Sequence, residues 1–187
     1  MTEKKSENLY FIAVIPPQPL YAEALAIKNH FKDQYNSKAA LNSPPHITLH
    51  MPFKWKESKE AELVSSLEKF SEKQKPFEIR LAGFGAFEPR VIFIDVKKDE
   101  ALAELQKNLK RFCKTELNLF NADYKEFAYH PHLTLAFRDL KKAEFYKAWE
   151  EFKDKKLEAT FRVDSFVLLK HDGREWREFK SLSLLAE

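Results

Sequence analysis

The chain has 187 residues with 32 Lys+Arg against 29 Asp+Glu, a formal net charge of +3, which fits one domain or two small lobes sharing a core and excludes a strongly basic nucleic-acid arm. Hydrophobic residues make up 44% and aromatics 14%, with 17 Phe, enough for a sizeable core and too many for a disordered chain. A single cysteine, Cys113, excludes an intramolecular disulfide framework and a Cys-based zinc cluster, while only three glycines (Gly83, Gly85, Gly173) exclude glycine-rich phosphate loops and dinucleotide fingerprints.

The first residues, 1–7, are charged and lack the apolar centre of a signal peptide. Residues 9–15 form a β-branched and aromatic run stopped by Pro16 and Pro17, which reads as a buried strand too short to span a bilayer. A soluble, cytoplasmic chain with no membrane partner is expected. From 20 to 35, Leu20, Ala24, Ile27 and Phe31 recur at helical spacing. Turn residues at 42–45 precede a strand over 46–51, and 58–72 returns to a helical period through Ala61, Val64, Leu67 and Phe70. A strand over 77–87 follows, bulged at Gly83 and Gly85. Then come a strand over 91–96, a helix over 99–117 with Leu102, Leu105, Leu109 and Phe112 on one stripe, and a polar loop. Residues 132–137 read as a strand, 141–152 as a helix, 159–169 as a strand and 176–185 as a closing strand, joined through a turn at Asp172-Gly173.

Each half thus runs β-α-β-α-β. Phe11-Ile12-Ala13-Val14 matches Phe93-Ile94-Asp95-Val96, and Pro45-His46-Ile47-Thr48-Leu49 matches Pro131-His132-Leu133-Thr134-Leu135. Two copies of one unit, over about 9–88 and 91–185, are expected to face each other about a pseudo-twofold within a single domain, 1–187.

With 6 His and 5 Thr, chance supplies roughly 0.16 His-x-Thr triplets, yet the chain has two, each with Pro before and Leu after. On a strand, side chains alternate faces, so His46 and Thr48 point one way while Ile47 and Leu49 point into the core; His132 and Thr134 repeat the pattern. A twofold would bring two imidazoles and two hydroxyls to one cleft. One neutral imidazole can accept a proton while a protonated one donates, and the Thr hydroxyls can hold anionic oxygens. Phosphodiester cleavage without a metal suits that set, with His46 and His132 as the catalytic pair and Thr48 and Thr134 as the phosphate-binding pair.

The paired tetrads, the duplicated order and the length resemble the 2H phosphoesterase superfamily, and within it the 2′-5′ RNA ligase and RNA 2′,3′-cyclic phosphodiesterase group. The resemblance extends from Leu9 to the last strand. It implies an α+β, bilobal fold in which antiparallel sheets line a central cleft with helices outside. It also implies metal-independent chemistry on a nucleotide or RNA-end phosphodiester, 2′,3′-cyclic or 2′-5′. No cofactor, no stable DNA complex and a monomeric state are expected. Members that process RNA carry a basic residue after the second tetrad. Arg138 stands one place later here, and shares the face of His132 if the strand continues.

Around the tetrads, His50 and His130 lie two residues along the same faces and are candidate substrate contacts. Tyr10, alternating against Phe11, Ala13 and Ile15, is a candidate for the cleft, and Phe53, Trp55, Tyr129 and Phe137 are candidates to stack a base. Arg90 and Lys54 are candidate phosphate steerers. The four clustered His also raise a metal site, but i, i+2 histidines with no carboxylate in the motif are an incomplete ligand set, so no metal is expected. A non-catalytic nucleotide- or RNA-binding module and a metal-dependent hydrolase are the competing readings.

Overall fold

The described residues, 6–121 and 128–186 of a computed structural model, form eight strands and four α-helices. They are β1 (Glu7–Val14), α1 (Leu20–Tyr35), β2 (Ile47–Lys56), α2 (Glu60–Ser71), β3 (Phe77–Phe87), β4 (Val91–Val96), α3 (Glu100–Glu116), β5 (His132–Ala136), α4 (Lys142–Phe152), β6 (Glu158–Val163), β7 (Ser165–His171) and β8 (Trp176–Ser183). Most of the charged leader, residues 1–5, and the middle of the polar loop, 122–127, lie outside the described residues.

Local signals explain the helices. On α3, Leu102, Leu105, Leu109 and Cys113 fall on one buried stripe, and the Asp99 carboxylate accepts the Leu102 amide proton at 2.9 Å, satisfying one of the orphan donors of the first turn. On α1 the buried stripe is Leu20, Ala24, Lys28 and Phe31, so a lysine occupies the core position expected for Ile27.

The strands form one antiparallel sheet in the order β6-β3-β4-β5-β2-β1-β7-β8. The strand expected over 159–169 is in fact two. Asp164 alone separates β6 from β7, yet the two occupy the first and seventh places in the sheet, so the sheet must curl to bring them together. The turn between β7 and β8 has the expected chemistry: Gly173 adopts φ +98, and Asp172 accepts the amide protons of Arg174 and Glu175. Gly83, with φ +72, sits within the bulge that shifts the β3–β4 register between Leu81 and Phe84.

Tyr10, Ile12 and Val14 of β1 share one continuous core with the buried stripes of all four helices, whereas Phe11 and Ala13 form a small separate cluster with Val167 and Leu169. The helices therefore cover one face of the sheet and leave the other as a concave surface. This is a mixed α+β fold. No helix of the described residues is long and apolar enough to cross a membrane.

The centre of the sheet is the junction of β2 with β5, the two His-x-Thr strands, and each half of the sheet draws strands from both sequence repeats. β3, from the first, lies beside β4, while β7, from the second, lies beside β1. The sheet halves therefore do not coincide with the sequence repeats: β3 joins the half of β4 and β5, and β7 with β8 joins the half of β1 and β2.

Candidate active site

The β2–β5 ladder consists of one pair, Ile47 with Leu133, both fully buried. One step to either side in that register sets His46 beside Thr134 and Thr48 beside His132. With the two apolar residues directed into the core, all four polar side chains belong to the concave face. Their neighbours repeat as well. The Phe11 ring lies 4.8 Å from that of His46, and the Phe93 ring 5.0 Å from that of His132, the two phenylalanines matched by the sequence repeat. Trp176 packs edge-on to Phe11 at 4.7 Å, and Phe87 lies 4.6 Å from Phe93 and 5.1 Å from His132.

Each imidazole is oriented by the chain just before it. His46 Nδ1 lies 2.7 Å from the Pro44 carbonyl oxygen, and His132 Nδ1 lies 2.7 Å from that of His130. A carbonyl can only accept, so Nδ1 carries the proton in both rings and Nε2 keeps its lone pair. Two bases of the same tautomer result, each held by the carbonyl two residues upstream.

Electrostatics separates them. Burial, reinforced by the Lys28 ammonium and by His132, lowers His46 to about 4. Burial also lowers His132, but there the Asp95 carboxylate pulls the other way. Both rings are neutral at pH 7, with His46 the harder to protonate. The unfolded chain binds these protons near pH 6.5, so the stability His46 contributes is complete above that value and is lost as pH falls toward about 4. Denaturant unfolding followed across this range is expected to show His46→Gln with a shallower decline than the parent; equal slopes would contradict the assignment.

Beside His132 lies a cavity of about 470 Å³, lined by Thr48, Leu49, Phe87, Gln106, Tyr129 and His130 among others. Tyr129, a sequence candidate, lines it and donates its hydroxyl proton to the Thr48 carbonyl at 2.8 Å. His130, also a candidate, stands at its rim half exposed, its Nε2 3.3 Å from Asp95 Oδ1. Gln106 is a lining residue that the sequence hides, because a glutamine within an amphipathic helix reads as surface; it is 6% exposed and lies on the buried stripe of α3.

Tyr10, His50 and Arg138 are not in the cleft. Tyr10 is fully buried on the helix side, where its hydroxyl bonds to Glu60 and its ring stacks on Phe53. The alternation of β1 holds, but its cleft face is that of Phe11 and Ala13. His50 is 1% exposed. Two register shifts in the β1–β2 ladder put extra residues in β2, so His50 pairs with the core residue Ile12 and packs edge-on to Phe53. Arg138 lies beyond the end of β5 with φ +57, exposed, its guanidinium folded over Phe137. The strand needed to carry it onto the tetrad face stops at Ala136. Of the proposed stacking residues, Phe53 and Trp55 pack into the helix-side core.

Asp139, just beyond that turn, ties the two halves together. Its carboxylate accepts the Ser37 hydroxyl at 2.8 Å and the amide protons of Lys38 and Ala39 at 2.9 Å each. These residues begin the segment that leads to His46. Asp139→Ala leaves these donors without that acceptor and is expected to cost about 2–3 kcal/mol in denaturant unfolding. A loss under about 0.5 kcal/mol, the range of ordinary surface changes, would show that the tie adds nothing to stability.

Among the described residues no three His, Cys, Asp or Glu side chains are grouped to hold a metal ion. A curled antiparallel sheet with helices on its outer face and a His-x-Thr strand from each repeat at its centre is the architecture of a 2H phosphoesterase. Comparison with known proteins makes the assignment specific. The model of the 2′-5′ RNA ligase superfamily matches residues 16–175, and the chain belongs to that family.

A relative from Geobacillus thermodenitrificans, named "Putative phosphoesterase", is 32% identical over 143 residues, covering 75% of this chain and 78% of its own. A relative of the same description from Geobacillus kaustophilus is 30% identical over 162 residues, covering 86% of each chain. Among solved structures, a protein of Thermus thermophilus superposes with a TM-score of 0.67 at 20% identity, over 96% of this chain and 99% of its own. E. coli LigT complexed with 3′-AMP gives 0.66 at 20% identity with the same coverage. LigT has also been solved with phosphate, ATP and NADP+.

Proposed function

We propose that this protein is a metal-independent phosphodiesterase that opens a 2′,3′-cyclic phosphate, or cleaves the related 2′-5′ linkage, on a nucleotide or RNA end. The observation that carries this reading is the matched pair of imidazoles. Both have Nδ1–H held by a backbone carbonyl two residues upstream, both leave Nε2 as a base, and both have a threonine opposite across the central strand pair.

In this reading a water approaches phosphorus opposite the scissile P–O bond. One neutral imidazole takes its proton as the new P–O bond forms, and the other, protonated, delivers a proton to the departing ribose oxygen. The bound phosphate anion raises the proton affinity of the rings it touches, which supplies the protonated partner at neutral pH. Lys28 disfavours a proton on His46 and Asp95 favours one on His132, so His46 acts as base and His132 as acid. The reaction ends with His46 protonated and His132 neutral, and exchange with solvent resets them. Thr48 and Thr134 donate to the non-bridging oxygens and stabilise the charge that grows there.

The cavity beside His132 supports a nucleoside on that side. At about 470 Å³ it lies in the range of small-molecule sites, with aromatic walls and a buried glutamine to hydrogen-bond an edge of the ring. The nucleotide complexes of LigT support the same class of ligand.

The test is an assay of the purified chain, with EDTA present, against 2′,3′-cyclic nucleotides and RNA with cyclic ends. Turnover indifferent to EDTA is expected. Binding without turnover across the panel, weakening steeply with salt, would make the protein a nucleotide-binding module instead. Activity abolished by EDTA and restored by a divalent metal would make it a metal-dependent hydrolase.

A further inference from the structure

Lys28 is the one buried lysine among the described residues, 1% exposed on the core stripe of α1. Taking an ammonium out of water is costly, and an apolar side chain of similar length would pack there without that cost. Its Nζ donates to the carbonyl oxygens of Ala40, at 2.8 Å, and Ser43, at 3.0 Å. These two residues belong to the turn 39–43, and the next carbonyl in the chain, that of Pro44, is the one that orients His46.

The two carboxylates nearest this end of α1 have other partners. Glu151 of α4 is bonded by His30 and Tyr35, and Asp139 after β5 holds Ser37, Lys38 and Ala39 at the opposite end of the same segment. No carboxylate pairs with Lys28 among the described residues. The titratable ring whose proton its charge disfavours is His46, held by the carbonyl next along that turn. Among the described residues the second repeat supplies no such cation to His132, which has His130 and Asp95 for neighbours instead.

We propose that Lys28 is a positioning residue of the His46 half of the site. Its ammonium pins the turn that presents the Pro44 carbonyl to Nδ1, and through that turn its charge makes the two chemically similar histidines unequal. Burial brings the lysine itself down to about 7, so this charge is itself titratable near neutral pH. The proposal rests on the phosphodiesterase reading for its kinetic consequence but not for its electrostatic one.

Two measurements on the full chain test it. In the unsubstituted protein, with isotope-labelled histidine, the His46 ring signals followed by NMR are expected to show a second, smaller inflection near the pH where Lys28 loses its proton, and the His132 signals none. In Lys28→Met, the His46 midpoint is expected to rise by about one unit while that of His132 stays, the scale set by removing a nearby like charge. If the phosphodiesterase reading holds, kcat falls about tenfold with KM little changed, and the limb of the pH–rate profile belonging to His46 moves up with it. Lys28→Arg, which keeps the charge, is expected to leave the His46 midpoint near its parent value.

Absence of the second inflection, together with a His46 midpoint indifferent to Lys28→Met, overturns the proposal while leaving the enzymatic reading intact. The inflection alone decides the matter if Lys28→Met does not fold. A shifted His46 midpoint in a protein that turns over no phosphodiester supports the positioning role and refutes the enzymatic reading.

Discussion

His46→Ala and His132→Ala are each expected to cut turnover of a 2′,3′-cyclic nucleotide by about 10²–10⁴-fold, the usual worth of one general acid or base. The two losses should differ in how the leaving group affects them. From a nitrophenyl phosphodiester the nitrophenolate leaves without help from an acid, so His132→Ala should recover most of its activity on that substrate, whereas His46→Ala, lacking the base, should stay impaired. Rate measurements on both substrates decide the roles. Rescue of His46→Ala instead would interchange them, and parent-like rates in both variants would remove the two histidines from the mechanism. The proposed asymmetry rests on neighbours outside the motif, Lys28 on one side and Asp95 on the other.

The largest structural effect is expected at the contact between Gly85 and Phe93. These residues pair across β3 and β4, and the Phe93 ring lies over the glycine so closely that a Cβ there would stand 2.4 Å from ring atom Cε2. The ring cannot simply swing aside, because Phe87 and His132 flank it at 4.6 and 5.0 Å. Gly85→Ala is therefore expected to destabilise by about 1–3 kcal/mol through overpacking. Phe93→Ala, at a residue 2% exposed, is expected to cost about 3–5 kcal/mol. The informative quantity is their combination. In the double variant the alanine at 85 meets no ring, so the total should fall short of the sum by most of the Gly85→Ala cost. Additive losses in denaturant unfolding would mean that the glycine is required for a reason other than the Phe93 ring. Because the ring also supports His132, Gly85→Ala should lower activity, although it touches no substrate.

Both predictions concern features that differ in how legible they were. The His-x-Thr strands could be read from alternation alone, since a polar pair at i and i+2 set against an apolar pair needs only the period of a strand to choose its face. The Phe93–Gly85 contact could not, because the sequence shows a glycine and a phenylalanine in different strands and no register between them. The bulge at Gly83 was legible because a glycine within a strand pattern marks a backbone irregularity. The shifts in β2 that turn His50 into the core have no such mark. They arise where β2 meets β1 and are a property of the pair.

Arg138 and Tyr10 went astray for related reasons. Extending β5 by two residues would have put Arg138 on the phosphate face, but the chain turns at Arg138 itself with a positive φ. For β1, alternation gave two faces correctly and left open which one faced the helices. Only the helix stripes packed against Tyr10, Ile12 and Val14 answer that. Lys28 carried a usable signal, standing four residues after Ala24 and eight after Leu20, on the buried stripe of its helix. Its charge argues against burial and masks that signal.

By itself, then, the sequence determined the order of elements up to the break at Asp164, and the alternation of the two imidazole-hydroxyl strands, because each depends on neighbours a few residues apart. The tertiary structure decided the rest. It joined β2 to β5 at the single pair Ile47–Leu133, placed β3 beside β4 and β7 beside β1, closed an aromatic cavity beside His132, buried a lysine against the turn before His46 and paired an aspartate with His132. Those features come from contacts between distant segments, where register and burial are settled by packing. They are also what makes two copies of one motif into a site with two unequal halves.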